Sequence, residues 1–401
     1  MTLMEVIMHE TVRVPGFLGN GVPAGIKSGG ERDLSLIFSE IPAKAVGVFT
    51  TNRFKAAPVV LDMERIKKGQ AQAIVVNSGN ANAATGSEGD NDAATMSRVV
   101  STSLDIDDEL VLVASTGIIG EKLPIEKITR SIKPLVEGLN ADGISSVAEG
   151  IITTDRFLKI EYQRCFVGGN EITICGIAKG AGMIEPNMAT MLSFIMTDAH
   201  IDYTCLSSVF RESADISFNA ITVDGCMSTN DTAIILANGI AGNSLITETS
   251  ADLMEFRGAL TGVMGSLAKS IVRDGEGATK LIKIVVEDAR SVEDARKIAY
   301  AIANSNLVKT AFFGEDPNWG RIISAAGSTG IPFSTDSLEL HIDNIPLFIH
   351  GRGISGKQAA GIMKKDNLRV LIRLGMGEEM FSLYTSDLSH EYVDINSLYS
   401  S

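Results

Sequence analysis

The sequence predicts an α/β protein with a smaller α/β subdomain at its C-terminal end. Short apolar runs alternate with helix-like segments along the first half of the chain. A long amphipathic segment follows, and beyond it the chain becomes rich in strand-like runs. Apolar periodicity distinguishes strands from helices, but it leaves the topology open.

The N-terminal half contains apolar runs that end at small polar residues. Ala73–Val76 and Leu110–Ala114 are predicted strands, and the polar segments Asn77–Asn82 and Ser115–Gly117 that follow them are predicted loops. Strands that stop at such loops are expected to direct their ends toward a site. Further strands are predicted at Glu171–Ile177 and Leu192–Ala199.

The C-terminal half begins with a predicted helix, Leu253–Val272, which has apolar residues at helical spacing. The boundary of the C-terminal subdomain is expected near Gly275–Lys280, where this helix gives way to strands. The elements predicted beyond it are a strand at Lys280–Val286, a helix at Val292–Ala303 with Ser291 as its N-cap, a hairpin at Leu338–His350 that turns at Asp343-Asn344, and a strand at Leu368–Leu374.

Composition limits the classes of function. The 401 residues carry a formal net charge of −14, so we expect no nucleic-acid partner. Hydrophobic residues make up 45% and charged residues 21%, as in globular proteins. The charged N-terminal segment predicts no signal peptide, and no apolar run approaches the roughly 18 residues of a membrane span.

The cysteines and histidines indicate neither a disulfide scaffold nor a metal site. Cys165, Cys175, Cys205 and Cys226 form no C-x-x-C pair, so buried, reduced thiols in a soluble cytoplasmic protein are expected. The five histidines are scattered and form no pair at metal-ligand spacing.

One segment is close to a phosphate-binding loop. Residues 351–358 read GRGISGKQ, and Gln358 stands where a Ser or Thr hydroxyl would hold Mg²⁺. We therefore interpret the segment as a Gly-rich turn between a strand and a helix, with Lys357 exposed, and expect no nucleotide site.

Residues 179–194 combine features that a self-cleaving chain needs. A Gly-rich stretch begins at Lys179, and the small residue Ala189 precedes Thr190 at the start of an apolar strand. A hydroxyl there can attack the preceding carbonyl if the turn is strained. Cleavage would leave Thr190 with a free amine, of pKa about 8, to act as base for its own hydroxyl. From spacing alone, a Gly-rich turn before a core strand explains the same residues.

The motif K-G-x-G-M-I-x-P-N-M-A-T-M-L in this segment resembles the self-cleavage motif of the ornithine acetyltransferase family, the glutamate N-acetyltransferases of arginine biosynthesis. The resemblance continues in order along the whole chain. The other matching blocks are Ala24–Gly29 with Asp33, Gly47–Ala57, Asn77–Asn82, Ser115–Gly120, Thr153–Asp155, Ile221–Thr232, Arg273–Lys280, Leu307–Arg321 and Tyr392–Ser401. The resemblance implies paired sheets flanked by helices, in an N-terminal-nucleophile-like sandwich.

The same resemblance implies an acyltransferase that cleaves itself between Ala189 and Thr190. The products would be an α chain, 1–189, and a β chain, in which 190–279 completes the catalytic lobe and 280–401 forms the C-terminal subdomain. Two of each chain would form a heterotetramer. Thr190 would take the acetyl group from N2-acetylornithine and pass it to glutamate. Acetyl-CoA is a second possible acetyl donor, and no other cofactor is implied.

Matches at the family's positions assign the other site residues. Thr116 and Gly117 would form the oxyanion hole. Lys179 could pair with a substrate carboxylate and Glu276 with an ammonium group. The substrate-binding positions implied are Thr153, Lys179, Thr190, Glu276, Asn396 and Ser401. Without the resemblance, these residues would be interpreted as a strand-ending turn, a solvated loop acid and a frayed C-terminus.

The sequence departs from the family pattern at a few positions. Arg156 stands where Thr is more common, Cys226 and Met227 replace Asp-Thr, and Ala84 replaces Cys.

Two other hypotheses about the function of the chain stay open. One is an N-terminal-nucleophile amidase or aminopeptidase of similar fold, in which water replaces the acceptor amine. The other is an unprocessed binding protein without activity.

Overall fold

The computed structural model describes residues 12–185, 191–354 and 359–398. Within them the chain forms an eight-stranded and a seven-stranded sheet, each packed against helices. The strands are β1 (Phe17–Val22), β2 (Leu34–Phe49), β3 (Gln70–Asn80), β4 (Val111–Ile118), β5 (Lys159–Val167), β6 (Asn170–Lys179), β7 (Leu192–Thr197), β8 (Ile221–Thr222), β9 (Thr232–Ala237), β10 (Leu281–Ala289), β11 (Glu339–Ile342), β12 (Ile345–Ile349), β13 (Arg352–Gly353), β14 (Asn367–Arg373) and β15 (Glu379–Ser386). The helices are α1 (Ala57–Arg65), α2 (Gly86–Leu104), α3 (Ile125–Glu137), α4 (Ile144–Ile151), α5 (Tyr203–Asp215), α6 (Leu253–Arg273), α7 (Val292–Ala303), α8 (Asn306–Phe313), α9 (Trp319–Gly327) and α10 (His390–Leu398). The predicted α/β class, with paired sheets flanked by helices, is confirmed.

The larger sheet has the order β4-β3-β2-β9-β7-β6-β5, with β1 paired to β2. The pairs β3–β4 and β7–β9 are parallel, and the other neighbours are antiparallel. Every residue of β7 is buried because the sheet is covered on both faces. Phe194 packs in the core that includes α4, and the next residue, Ile195, packs in the core that includes α5 and α6.

Two predicted loops are wrong in their boundaries. β3 continues to Asn80 and β4 to Ile118, so Asn77–Asn80 and Ser115–Gly117 belong to strands. The polar residues can stay in the sheet because they bond one another across the parallel pair. The Ser115 hydroxyl donates to Asn77 Oδ1 at 2.6 Å, which satisfies both buried groups.

The second sheet has the order β13-β12-β11-β14-β10-β15-β8. The predicted strands at β10 and β14, the β11–β12 hairpin and the helices α6 and α7 are confirmed. The Ser291 side chain accepts from the Asp294 amide, as expected of an N-cap. α6 links the two sheets because it packs on β5 and β6 and also contacts β8, β10 and β15.

At two of its described residues, the Gly-rich segment after β12 is a strand and not the predicted turn. Arg352–Gly353 forms β13, which pairs back onto β12. Lys357 and Gln358 lie outside the described residues. The prediction of buried cysteines is correct for Cys165, Cys175 and Cys205 and wrong for Cys226, which is exposed.

In the described part of the chain, no helix has the length and apolarity needed to cross a bilayer.

Candidate active site

A cavity of about 220 Å³ opens where the ends of β4 and β6 meet the loop after α6 and the C-terminal helix α10. Six residues implicated by the family resemblance line it: Thr116, Gly117, Thr153, Lys179, Glu276 and Asn396. The remaining lining residues are Ala81, Ile119, Thr154, Gly182, Met183, Ser228 and Asn230. The other three predicted site residues, Ala189, Thr190 and Ser401, lie outside the described residues.

The backbone at the end of β4 accepts only glycine at position 117. Gly117 has a φ of +136°, and a Cβ there would overlap the backbone of Gly79 and Asn80 on β3. Thr116 is buried beside it, and its hydroxyl accepts from Lys179 Nζ at 3.2 Å. Thr116 and Gly117 therefore line the cavity together at one strand end, and a hydroxyl with a backbone amide is a donor set suited to an oxyanion.

Lys179 is the last residue of β6, and its ammonium group is buried at the cavity wall. Its Nζ also donates to Thr153 Oγ1 at 2.8 Å. Burial lowers the pKa of Lys179, and the negative charge of Asp155 opposes that effect. The Lys179 ammonium group can therefore present a positive charge to the cavity, and it gives up its proton more readily than the ammonium group of an exposed lysine.

A buried charge network supports Lys179 from behind. Asp155 Oδ1 accepts from Lys159 Nζ at 2.6 Å and from the Gly180 amide at 2.7 Å, and Lys159 Nζ also lies 2.5 Å from Asp274 Oδ2. Burial would raise the pKa of Asp155, but the charges of Lys179 and Lys159 outweigh it and hold the pKa well below its usual range.

Glu276 faces the cavity from the loop after α6. Its Oε1 accepts from Thr154 Oγ1 and its Oε2 from Asn396 Nδ2, both at 2.8 Å. Its own amide donates to the Ala181 carbonyl at 2.9 Å. A Cβ on Gly182 would overlap this carboxylate. The absence of a side chain at position 182 therefore leaves the space that the Glu276 carboxylate occupies.

Several of these contributors are not evident from the sequence. Asp155 and Thr154 lie within the matching block around Thr153, but only their contacts reveal their roles. Asn230 binds two strand ends, because its Nδ2 donates to the carbonyls of Ala81 and Ser115 at 2.6 and 2.8 Å. The available signal was its place in the matching block Ile221–Thr232, two residues before β9.

The structure shows the contacts of two departures from the family pattern, Arg156 and Met227. Arg156 donates from its backbone nitrogen and its Nε to Asp274, and half of its side chain is exposed. The Met227 carbonyl accepts from Asn52 Nδ2 at 3.3 Å. Thus Arg156 adds a contact to the charge network and leaves the Lys179–Thr153 contact in place.

The chain on either side of residues 186–190 is held by two aspartates. Asp224 accepts from the amides of Met183 and Ile184, at 2.6 and 2.9 Å. Asp231 Oδ1 accepts from the Met191 amide at 3.1 Å, and the Met191 carbonyl accepts from the Thr232 amide. The segment that contains Ala189 and Thr190 is thus bounded by fixed backbone on both sides.

Comparison with known proteins identifies the family. The ArgJ family profile matches residues 19–401. The chain is similar to the arginine biosynthesis bifunctional protein ArgJ of Geobacter sulfurreducens, with 49% identity over 97% of this chain and 100% of that protein. It is 46% identical to the ArgJ protein of Caldanaerobacter subterraneus subsp. tengcongensis, over 99% of this chain and 100% of that one.

A solved structure agrees with these comparisons. The crystal structure of ArgJ from Bacillus halodurans is 38% identical, with a TM-score of 0.51, and it covers 52% of this chain and 100% of its own. The family resemblance seen in the sequence is thereby confirmed, and this chain belongs to the ArgJ family, the acyltransferases of arginine biosynthesis.

Proposed function

We propose that this protein moves an acetyl group from N2-acetylornithine to glutamate through an acyl-enzyme on Thr190. One observation carries the proposal: six residues that match the family's site positions, drawn from separate parts of the sequence, line a single cavity. In the same proposal, the chain first cleaves itself between Ala189 and Thr190. Thr190 then becomes an N-terminal residue whose amine can accept the proton of its own hydroxyl.

The cavity residues suit the two halves of this reaction. The Thr190 hydroxyl attacks the acetyl carbonyl, and Thr116 and Gly117 donate to the oxygen as it becomes negative, where one donor is typically worth about 3 kcal/mol. Ornithine leaves, and the amine of glutamate attacks the ester. The acetyl group passes to that amine, and the hydroxyl of Thr190 is restored.

Charges at the cavity wall suit amino-acid substrates. Lys179 can pair with a substrate carboxylate, and Glu276 can pair with an ammonium group. Asn396 and Thr154 already hold the Glu276 carboxylate at 2.8 Å, so little of its freedom remains to be lost on binding. We include Thr153 and Ser401 as neutral hydrogen-bonding partners.

Mass spectrometry under denaturing conditions tests the proposal. A cleaved protein gives two chains in place of one at 42.6 kDa. After brief incubation with N2-acetylornithine and an acid quench, the larger chain should carry one acetyl group. Glutamate should remove that group, whereas water alone should remove it slowly.

Two other results would favour the other hypotheses. Rapid loss of the acetyl group in water indicates an amidase. A single uncleaved and unlabelled chain indicates a binding protein without activity.

Three finer points belong to the same proposal. Acetyl-CoA is a possible second donor, tested by whether it labels the larger chain in the same assay. Native mass spectrometry tests the heterotetramer of two α and two β chains. A cytoplasmic location is supported by Cys165, Cys175 and Cys205, which are buried as free thiols.

A further inference from the structure

A second cavity, of about 410 Å³, lies where the end of α6 meets the starts of β10 and β14. Two basic side chains, Arg273 and Lys280, line it together with Asp366 and Asn367. β10 and β14 are parallel, with Leu281 paired to Asn367, so both strands begin at this cavity. Within the described part of the chain, it shares no lining residue with the candidate active site.

Lys280 has weaker partners than the other buried lysines. The lysines that are buried among the described residues are Lys159, Lys179, Lys280 and Lys309. The other three each donate at 2.8 Å or less, to Asp155, the Thr153 hydroxyl and the Ser386 carbonyl respectively. Lys280 is 6% exposed, and the one described group that its Nζ bonds is the Lys365 carbonyl, at 3.4 Å. A buried ammonium group with a single long hydrogen bond is costly, and a further partner would lower that cost.

The charges that line the cavity favour an anion as that partner. Arg273 Nη2 donates to Asn367 Oδ1 at 3.2 Å. Neither Arg273 nor Lys280 forms an ion pair with a described residue. Asp366 contributes its backbone, since its carbonyl accepts from the Leu281 amide at 2.7 Å. The lining therefore carries two positive charges and one negative charge.

The walls of the cavity are already fixed. Asp387 Oδ1 accepts from the amides of Thr279 and Lys280, at 2.8 and 3.0 Å. The carbonyl oxygens at the end of α6 would repel an anion, but Arg156 Nη2 donates to the Arg273 carbonyl at 3.0 Å and offsets this effect. A ligand would therefore need to order little of the surrounding chain.

We propose that this cavity binds a phosphate group, either free or carried by a small molecule, through Lys280 and Arg273. Lysine supplies a compact positive charge and arginine a planar set of donors, and both bind phosphate in proteins. A phosphate monoester carries about −1.5 to −2 charges at neutral pH, so it can neutralise both cations where a carboxylate can neutralise one. The inference does not depend on the proposed function.

Isothermal titration calorimetry of the purified protein with inorganic phosphate, at constant ionic strength, tests the site. We expect one phosphate per copy of the protein, with a Kd of about 1 mM. Lys280→Gln removes the buried charge and should weaken binding by about tenfold or more. Arg273→Gln should do the same, and because Arg273 is exposed, it decides the question if Lys280→Gln does not fold.

Lys283→Gln is the matched control. Lys283 lies on β10 outside the cavity, with its Nζ 5.7 Å from the centre of the Tyr384 ring. The variant removes the same charge from the same strand, so its Kd for phosphate should equal that of the wild type.

Further titrations identify the source of the phosphate group. Tighter binding of glycerol phosphate or adenosine monophosphate than of inorganic phosphate indicates a phosphate-bearing small molecule, and equal or weaker binding indicates free phosphate. Acetate should bind at least about tenfold more weakly than phosphate.

Four results would overturn the inference: no binding of phosphate to the wild type, an unchanged Kd in Arg273→Gln or in folded Lys280→Gln, equal weakening in Lys283→Gln, or acetate binding as tight as phosphate binding. Calorimetry requires neither self-cleavage nor acetyl transfer, so each result leaves the proposed function unaffected.

Discussion

Asn396 Nδ2 donates to Glu276 Oε2 at 2.8 Å, although 120 residues separate the two in the chain. The contact brings the C-terminal helix α10 to the cavity wall. Asn396 Nδ2 also donates to the Tyr392 carbonyl at 3.0 Å within the same helix. A C-terminal segment that would ordinarily be expected to fray thus fixes the orientation of the carboxylate in the site.

Replacing Glu276 tests that carboxylate. Glu276→Gln keeps the shape of the side chain but removes its charge, so kcat/KM for acetyl transfer should fall by about ten- to a hundredfold, or about 1.5–3 kcal/mol. Self-cleavage should stay close to wild type, since it does not need a charge that binds substrate. Steady-state kinetics and denaturing gels measure the two effects. Loss of cleavage as well would give Glu276 a structural role instead.

Replacing Gly182 should move the same carboxylate without changing its charge. A Cβ at position 182 would overlap the Glu276 carboxylate, which Thr154 and Asn396 hold in place. Gly182→Ala should therefore raise KM by about tenfold. The control is Gly258→Ala on α6, where a Cβ meets nothing within 4 Å. An unchanged KM in Gly182→Ala would show that Glu276 does not set substrate affinity.

Replacing Thr190 tests the nucleophile. Thr190→Ala lacks the hydroxyl that both cleavage and acetyl transfer require, so it should give one inactive chain of about 42.6 kDa. Thr190→Ser keeps a hydroxyl and should still be cleaved. Denaturing mass spectrometry and an acetyl-transfer assay check both variants. A cleaved, active Thr190→Ala protein would exclude Thr190 as the nucleophile.

The charge network behind Lys179 should matter for stability. Asp155→Asn leaves the buried Lys159 ammonium with Asp274 alone, and loss of one buried partner costs about 3–5 kcal/mol. Urea unfolding in an uncleaved Thr190→Ala background measures this cost. Asp142→Asn breaks the Arg13 pair, whose side chains are 65% and 47% exposed, and should cost less than about 1 kcal/mol. Similar costs for the two variants would contradict a special role for the buried network.

The buried Asp62 should make stability depend on pH. Burial raises its pKa well above the usual value, so the stability that it contributes is present below about pH 4 and is lost as the pH rises toward the folded-state pKa. Asp62→Asn does not titrate. Relative to the parent, it should gain up to about 1.4 kcal/mol per pH unit above pH 4. Urea unfolding at several pH values measures the difference, and a constant difference would mean that Asp62 is ionised in the folded protein.

Residue patterns predicted the elements whose periodicity is strong, such as α6, α7, β7 and β10. They missed α2 (Gly86–Leu104), whose first turns are rich in Gly, Ser, Asn and Asp and have little helix propensity of their own. Its helix is stabilised by packing, because Met96 and Val100 are fully buried in the core with β3 and β4. Tertiary contacts of this kind leave little trace in local sequence.

The site was only partly predictable for a related reason. Family motifs pointed to Lys179 and Glu276, but Asn230 acts through bonds to residues far away in sequence. Asn230 bonds to the carbonyls of Ala81 and Ser115, 149 and 115 residues distant. Such pairings depend on the order of strands in the sheet, which a single sequence does not determine.

The strand order of the larger sheet has a consequence for how the cleaved protein refolds and how long it stays folded. β7 and β9 follow the proposed cut, yet they lie between β2 and β6, which precede it. The cut chains would be interleaved, and neither could complete the sheet alone. Folding would then be a single-chain reaction that happens once. A cleaved protein that is denatured would have to reassemble from two molecules, at a rate that depends on its concentration, so its working lifetime would depend on how slowly it unfolds.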